Sequence, residues 1–200
     1  ELTEQYVAEL GMVAARELGV TKVLIGRDTR ESGKQLETAL ANGLLAGGVS
    51  VELLGVAPTP AIAFLAAKRG CASAAITASH NPYADNGVKL FANGGVKLSD
   101  AQQDAIESHM TGSATVASAS ASQVDLIGEY ASHIVGLFPV LAFTNIRLVL
   151  DCANGAMSDV APEVFARLGA TVIVLNDRPN GKNINEGCGA THPEVVSEAV

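Results

Sequence analysis

Basic residues are scarce: 13 Lys and Arg stand against 21 Asp and Glu, a net charge of −8. Binding a nucleic-acid backbone needs clustered cations, so nucleic acid is excluded as a partner class. Small phosphorylated ligands are not excluded, because a few local cations and backbone N–H groups hold them whatever the global charge. Cysteine is scarce too. Cys71, Cys152 and Cys188 are odd in number and form no CxxC pair, which argues against a disulfide framework or a zinc site and leaves reduced, mostly buried thiols. No apolar run approaches a membrane span, and Glu1-Leu2-Thr3-Glu4 has neither the basic start nor the apolar core of a signal peptide. The expectation is a cytoplasmic protein with no membrane partner. Gly47-Gly48 and Gly94-Gly95 match neither a Rossmann nor a P-loop spacing, so NAD and ATP sites are not supported. No set of His, Asp or Glu has the spacing of a complete metal site. His109 and His133 fall on predicted helices, and His192 near a helix start.

What is present is an apolar complement of 48% with 17% charged residues, ample for a buried core. Thr3 is placed to cap a helix with Val7, Leu10, Ala14 and Leu18 at helical spacing and Gly19 as its stop. A strand over 22–26 follows, then the polar cluster Arg27-Asp28-Thr29-Arg30. Ser32 with Gln35 reads as a capping box opening a helix to about Ala46. A strand over 50–54 leads to Thr59-Pro60, which reads as a capping residue before a helix that Gly70 ends. An apolar strand over 74–78 comes next. This alternation predicts an α/β fold: a mixed, largely parallel sheet with helices on both faces. The hairpin-like stretch 88–98 predicts at least one antiparallel edge.

Ser99 and Gln102 form a further capping box for a helix to about His109. Residues 111–123, nearly all Ser, Ala, Gly and Thr, read as a surface loop or linker. A helix over 124–138 ends at Pro139, and the strand–helix pattern then restarts: strand 147–150, the turn Asp151-Cys152-Ala153-Asn154-Gly155-Ala156, a helix to Leu168 and a strand over 171–175. Thr191 with Glu194 reads as a capping box for a last helix. The restart predicts two units, 1–138 and 139–200. The second has little core of its own and reads as unfinished, so the chain is expected to be the front part of a longer protein.

The chemistry concentrates in Ile76-Thr77-Ala78-Ser79-His80-Asn81-Pro82, where an apolar strand stops at a hydroxyl, an imidazole and an amide. Pro82 biases Asn81 away from helix, which sets Ser79 on a fixed loop at a strand end, where open α/β sheets place their ligands. Asn86-Gly87 makes a turn, and the short strand 88–91 presents Lys89 back toward the serine. A strand-end serine serves either as a turn residue satisfying backbone groups or as a nucleophile. His80 and Lys89 support the second reading, because phosphoryl transfer depends on positioning and cations. For each the alternative stands: a hydrogen-bonded loop histidine, a solvated strand lysine. Arg27-Asp28-Thr29-Arg30 reads first as an Asp–Arg pair fixing its loop.

Five separated stretches carry a family resemblance: Gly26-Arg27-Asp28-Thr29-Arg30, Pro58-Thr59-Pro60, the Ser79 loop with Asn86-Gly87-Val88-Lys89, Asp151 to Ala156, and Asn183 to Glu194. Together the sequence resembles the α-D-phosphohexomutases. The Ser-His-Asn-Pro loop is specific for that superfamily, and the last stretch resembles its phosphoglucosamine mutase branch. The resemblance implies that Ser79 is carried as a phosphoserine and donates its phosphoryl to a sugar phosphate. A bisphosphorylated intermediate turns over and returns the other phosphoryl, interconverting glucosamine 6-phosphate and glucosamine 1-phosphate for amino-sugar and cell-wall precursors. By the same resemblance His80 and Lys89 match active-site positions, and Mg²⁺ bridges the Ser79 phosphate to aspartates of a later loop.

The departures also carry expectations. The family's first strand with its Thr-Asp-Gly-x-Arg-Gly loop, its Asp-rich metal loop and its third and fourth domains are not found in these residues. The chain alone is therefore expected to be inactive, with the missing domains as partners of the same polypeptide and a phosphosugar as ligand. Sugar choice, general base and oligomeric state stay open. A phosphomannomutase or phosphoglucomutase of the same superfamily is one alternative function, and a non-catalytic phosphate-binding module is another.

Overall fold

A computed structural model describes residues 2–112 and 120–200. Helix α1 (Glu4–Glu17) opens where Thr3 Oγ1 accepts from the Tyr6 N–H at 3.2 Å, and it ends at Leu18 before the left-handed Gly19. Strand β1 (Lys22–Arg27), helix α2 (Gly33–Ala46), strand β2 (Ser50–Val56), helix α3 (Thr59–Arg69) and strand β3 (Ala72–Ile76) follow as two successive crossovers. Strands β4 (Val88–Ala92) and β5 (Val96–Lys97) then form a hairpin, followed by helix α4 (Asp100–Ser108) and the short strand β6 (Ser122–Gln123).

These strands make one sheet in the order β5-β4-β3-β1-β2-β6. β1 pairs parallel with both β2 and β3, and β6 is parallel to β2, whereas β4 runs antiparallel to β3 and to β5. The largely parallel sheet and its antiparallel edge match the expectation. Central β1 shows why both faces are covered. Val23 and Ile25 join the core beneath α1 and α2, whereas Leu24 joins the core beneath α3, so successive side chains feed opposite layers.

Helix α5 (Ile127–Gly136) leads to a second, two-stranded parallel sheet of β7 (Arg147–Asp151) and β8 (Thr171–Leu175), joined by helix α6 (Val160–Arg167). A single 3₁₀ turn at Gly189–Thr191 precedes helix α7 (Pro193–Ala199). Val160, Val164 and Leu168 share one buried cluster with Ala61 of α3 and with Tyr130 and Ala131 of α5. Among the described residues no helix is long and apolar enough to cross a membrane.

Several local readings are corrected. Ser32 makes no side-chain cap; its hydroxyl instead accepts from Asn86 Nδ2 at 2.9 Å, so a tertiary bond replaces the local one. Thr59 is the first helical residue rather than the cap, and the box expected at Thr191 and Glu194 does not form: Thr191 belongs to the 3₁₀ turn, His192 takes the N-cap of α7 without capping it, and Glu194 pairs with His192 Nδ1 at 2.9 Å. The capping box at Ser99 and Gln102 is present in full. β3 lies two residues earlier than expected, and α5 spans only part of 124–138. The end of the supposed linker pairs as β6, Glu52 with Ser122 and Leu53 with Gln123, a strand recruited by the open edge of β2 rather than by its own polar residues. Residues 113–119 of that stretch lie outside the described ones.

Candidate active site

The carboxyl ends of parallel β1, β2 and β3 share one rim, and the chain continues that pairing past the strands: Asp28 N–H donates to the Ile76 carbonyl and Ala57 N–H to the Arg27 carbonyl. Ser79 stands on this rim two residues beyond the Thr77 N–H bond to the Gly87 carbonyl. Its φ is 55°, left-handed backbone that costs a non-glycine residue about 1 kcal/mol or more. The bonds that hold it are made by the main chain. Its N–H donates to Thr77 Oγ1 at 3.0 Å, and its carbonyl accepts from Arg30 Nη2 at 3.0 Å and from Asn185 Nδ2 at 2.9 Å. The hydroxyl is left to solvent on an exposed residue.

Arg30 is the centre of this arrangement, 1% exposed and with every guanidinium donor engaged. Nε donates to Asp28 Oδ2 at 2.9 Å, Nη1 to the Pro82 and Asp85 carbonyls, and Nη2 to the Ser79 and Asn81 carbonyls. The expected Asp–Arg pair is therefore real, and it fixes the serine loop as well as its own. Burying a guanidinium is offset here because its charge meets a carboxylate and its remaining N–H groups meet carbonyls.

A second loop, residues 176–190, closes on the same place. Glu31 N–H donates to the Gly181 carbonyl and Asn185 Nδ2 to the Asn81 carbonyl at 3.0 Å, while Thr29 Oγ1 donates to the carbonyl of Asn154 in the turn after β7 at 2.5 Å. Between the two lies a cavity of about 260 Å³ walled by Arg27, Thr59, Ser79, Cys152, Met157 and Asn185. At its β1 side Arg27 Nε sits 3.5 Å from Glu37 Oε2. Burial pushes the Glu37 carboxyl above its ordinary value, with Arg27 pulling the other way. Burial, reinforced by Asp177, Asp151 and Asp159, lifts the Cys152 thiol to about 11, which keeps it protonated and inert. All three cysteines are free and buried, as expected.

The three predicted site residues are not gathered into one cavity. His80 is exposed and lines a neighbouring cavity of about 480 Å³ with Tyr83, Lys182, Asn185 and His192. Lys89 lies on β4 opposite Ala75, with Nζ 5.5 Å from the Phe91 ring centroid, and borders a third depression beside Tyr6 and Lys97. Among the described residues no group of three His, Cys, Asp or Glu is placed to hold a metal. Asp28 is committed to Arg30, and Asp85 accepts from Asn81 Nδ2 at 3.2 Å, so the donors gathered around Ser79 do not by themselves fit the Mg²⁺ that the resemblance implies. Asn185 and the Arg27–Glu37 pair were not singled out from sequence. Asn185 carries a sequence signal only as a member of the family-resembling stretch Asn183 to Glu194.

The comparisons with known proteins bear on the same elements. Residues 1–116 match the family model described as phosphoglucomutase/phosphomannomutase, alpha/beta/alpha domain I. Phosphoglucosamine mutase 2 of Shewanella baltica is 44% identical over 214 residues, covering all of this chain and 48% of that protein. Phosphoglucosamine mutase of Alkalilimnicola ehrlichii is 46% identical over 210 residues, covering all of this chain and 46% of its own length. The crystal structure of a phosphoglucomutase/phosphomannomutase family protein from Burkholderia thailandensis aligns with a TM-score of 0.82 at 29% identity, over 98% of this chain and 45% of that one. The chain thus spans about half the length of the curated relatives it matches. The matched family model takes in β1 to β5, the strands that set Arg30 and the Ser79 loop on one rim, and by that match the chain belongs to the phosphoglucomutase/phosphomannomutase family.

Proposed function

We propose that this chain is the phosphoryl-carrying part of a phosphoglucosamine mutase, with residues 1–138 as the unit bearing the phosphoserine loop and 139–200 as the start of a second unit. The observation that carries the proposal is the conformation of Ser79: main chain clamped on both sides at φ 55°, hydroxyl turned out from the bonding. A serine that served only to satisfy the turn would spend that hydroxyl locally. The phosphoglucosamine mutase names of the curated relatives support the choice of sugar.

In this reading phosphoserine 79 gives its phosphoryl to the C1 hydroxyl of glucosamine 6-phosphate. The Oγ–P bond breaks, a new P–O bond forms on the sugar, and the sugar hydroxyl proton leaves as Oγ takes one up. The bisphosphate then returns its C6 phosphoryl to Ser79, leaving glucosamine 1-phosphate. His80, next in the chain, orients the phosphoryl, and Lys89 supplies positive charge toward the loop when substrate is bound. Among the described residues no ligand set for the implied Mg²⁺ is present besides the Ser79 phosphate itself. The activity belongs to the protein at its natural length, acting in the cytoplasm, and the 200-residue chain alone turns over no substrate.

The test is intact-mass and phosphopeptide analysis of the protein at its natural length after incubation with a hexose 1,6-bisphosphate. Phosphate on Ser79, none in Ser79→Ala, and loss of mutase turnover by at least a thousandfold in that variant are expected. Full turnover in Ser79→Ala would overturn the proposal. Comparing kcat/KM for glucosamine, glucose and mannose 6-phosphates decides the sugar.

A further inference from the structure

The carbonyls of Ser79 and Asn81 each receive two donors, one from Arg30 and one from Asn185. Arg30 belongs to the same layer as the serine loop, but Asn185 lies 106 residues beyond Ser79. Its side-chain amide has two N–H donors, and both are spent here, at 2.9 Å on the Ser79 carbonyl and 3.0 Å on the Asn81 carbonyl. Asn185 is itself in left-handed backbone, φ 60°, which asparagine tolerates better than other side-chain-bearing residues.

A continuous scaffold places it. Asp151, the last residue of β7, accepts from the Ala153 N–H and from Asn176 Nδ2 through one oxygen and from the Gly189 N–H at 2.7 Å through the other. This fixes the left-handed turn Ala153-Asn154, with φ 52° and 50°. The Ala153 carbonyl in turn accepts the Asn185 N–H at 3.0 Å, and Asn154 Nδ2 donates to the Asn183 carbonyl at 3.2 Å. The end of the second sheet thus dictates where the Asn185 amide points. Only a short side chain with two donors on one nitrogen, on a residue content with positive φ, meets both carbonyls. Serine has one donor, aspartate none, and lysine carries a charge on a long stem.

We infer that Asn185 is a positioning residue for phosphoryl transfer: it holds the Ser79–Asn81 main chain so that the Ser79 hydroxyl is presented to the incoming phosphoryl group, and it makes that presentation depend on the docked loop of the second sheet. With both lone pairs of two carbonyls occupied, the Ser79–His80 and Asn81–Pro82 peptide planes cannot rotate without breaking bonds to both Arg30 and Asn185. Loss of Asn185 leaves the Arg30 half of the clamp, so the loop stays folded but samples other orientations. The inference rests on the proposed role of Ser79, and its test separates the two.

Asn185→Asp keeps size and backbone preference but removes both donors; Asn185→Gly keeps only the backbone preference. Both are made in the protein at its natural length and read in two ways. Hydrogen exchange of a peptide spanning 77–87 should speed at least tenfold in each variant, with peptides from α1 and α2 unchanged. Phosphoryl uptake at Ser79 from glucose 1,6-bisphosphate should fall at least tenfold at saturating donor, while the half-saturating donor concentration stays within twofold, because Asn185 acts on the serine and not on the sugar. Unchanged exchange in both variants, or slower uptake that arises wholly from weaker donor binding, overturns the inference. Should wild-type protein take up no phosphoryl, the proposed function fails, and the exchange comparison still decides whether Asn185 holds the loop. If Asn185→Asp loosens the whole molecule, Asn185→Gly supplies the comparison.

Discussion

Glu37 tests how much the rim of the sheet depends on a buried charge. Its carboxyl is 4% exposed, burial raises it above its ordinary value of 4.5, and Arg27 offsets only part of that. Between the ordinary and the raised value the folded protein holds a proton that the unfolded chain has released. Stability therefore falls as pH climbs through that window and is level above it. Glu37→Gln carries no such proton. The Tm of Glu37→Gln minus that of the wild type should accordingly grow as pH rises from 4 through the raised value, then level off. A difference that stays flat from pH 4 to 8 would mean that the carboxyl is not raised. At this scale the serine loop was legible because Ser-His-Asn-Pro and Asn-Gly-Val-Lys are contiguous, and their chemistry needs no partner to be noticed. The clamp was not legible. Arg30 bonds to carbonyls 49 to 55 residues away and Asn185 reaches back 106, and no local pattern encodes a main-chain acceptor.

Helices α1 and α2 meet through glycine. A Cβ at Gly43 would lie 1.8 Å from the Ala8 carbonyl oxygen, and one at Gly11 would lie 2.5 Å from the Leu40 carbonyl oxygen. Two backbones touch, with no flexible side chain to yield. In an open helix Gly→Ala gains about 1 kcal/mol from propensity, whereas overpacking a tight contact costs about 1–3 kcal/mol and occasionally more. At Gly43 the contact wins, so Gly43→Ala should lower the urea midpoint. Gly136, at the exposed end of α5 with nothing within 4 Å, has only the propensity gain, and Gly136→Ala should raise it by the equivalent of up to about 1 kcal/mol. The same sign for both variants would remove the packing argument. Elements whose ends are set by their own residues, such as the Ser99 box and the Gly70 stop, were readable in advance. Those set by tertiary bonds were not: Ser32 spends its hydroxyl on Asn86, and β6 exists because β2 has an open edge.

At the scale of the molecule, the second sheet is joined to the first by a common core as well as by the loop that carries Asn185. Leu168, 2% exposed at the end of α6, packs in one cluster with Ala61 of α3 and Tyr130 of α5. Phe64 extends that cluster and stacks on the exposed His133 at 4.2 Å between centroids, so this histidine sits at the edge of the joint. β7 and β8 keep mostly half-exposed residues, and their helix buries its apolar face against α3 and α5 rather than within a closed core of its own. Two strands and two short helices bury too little to be stable by themselves, so their stability must be borrowed across this joint. Leu168→Ala removes buried volume at the joint and should cost about 2–5 kcal/mol. If the core is shared, the loss appears on both sides: thermal unfolding remains one transition at lower temperature, and exchange speeds in peptides from α3 and α5 as well as in those from 147–200. Faster exchange confined to 147–200 would mean that the second sheet opens independently. Asn185 would then leave Ser79 whenever that sheet opened, and the clamp would be only as durable as the weaker unit.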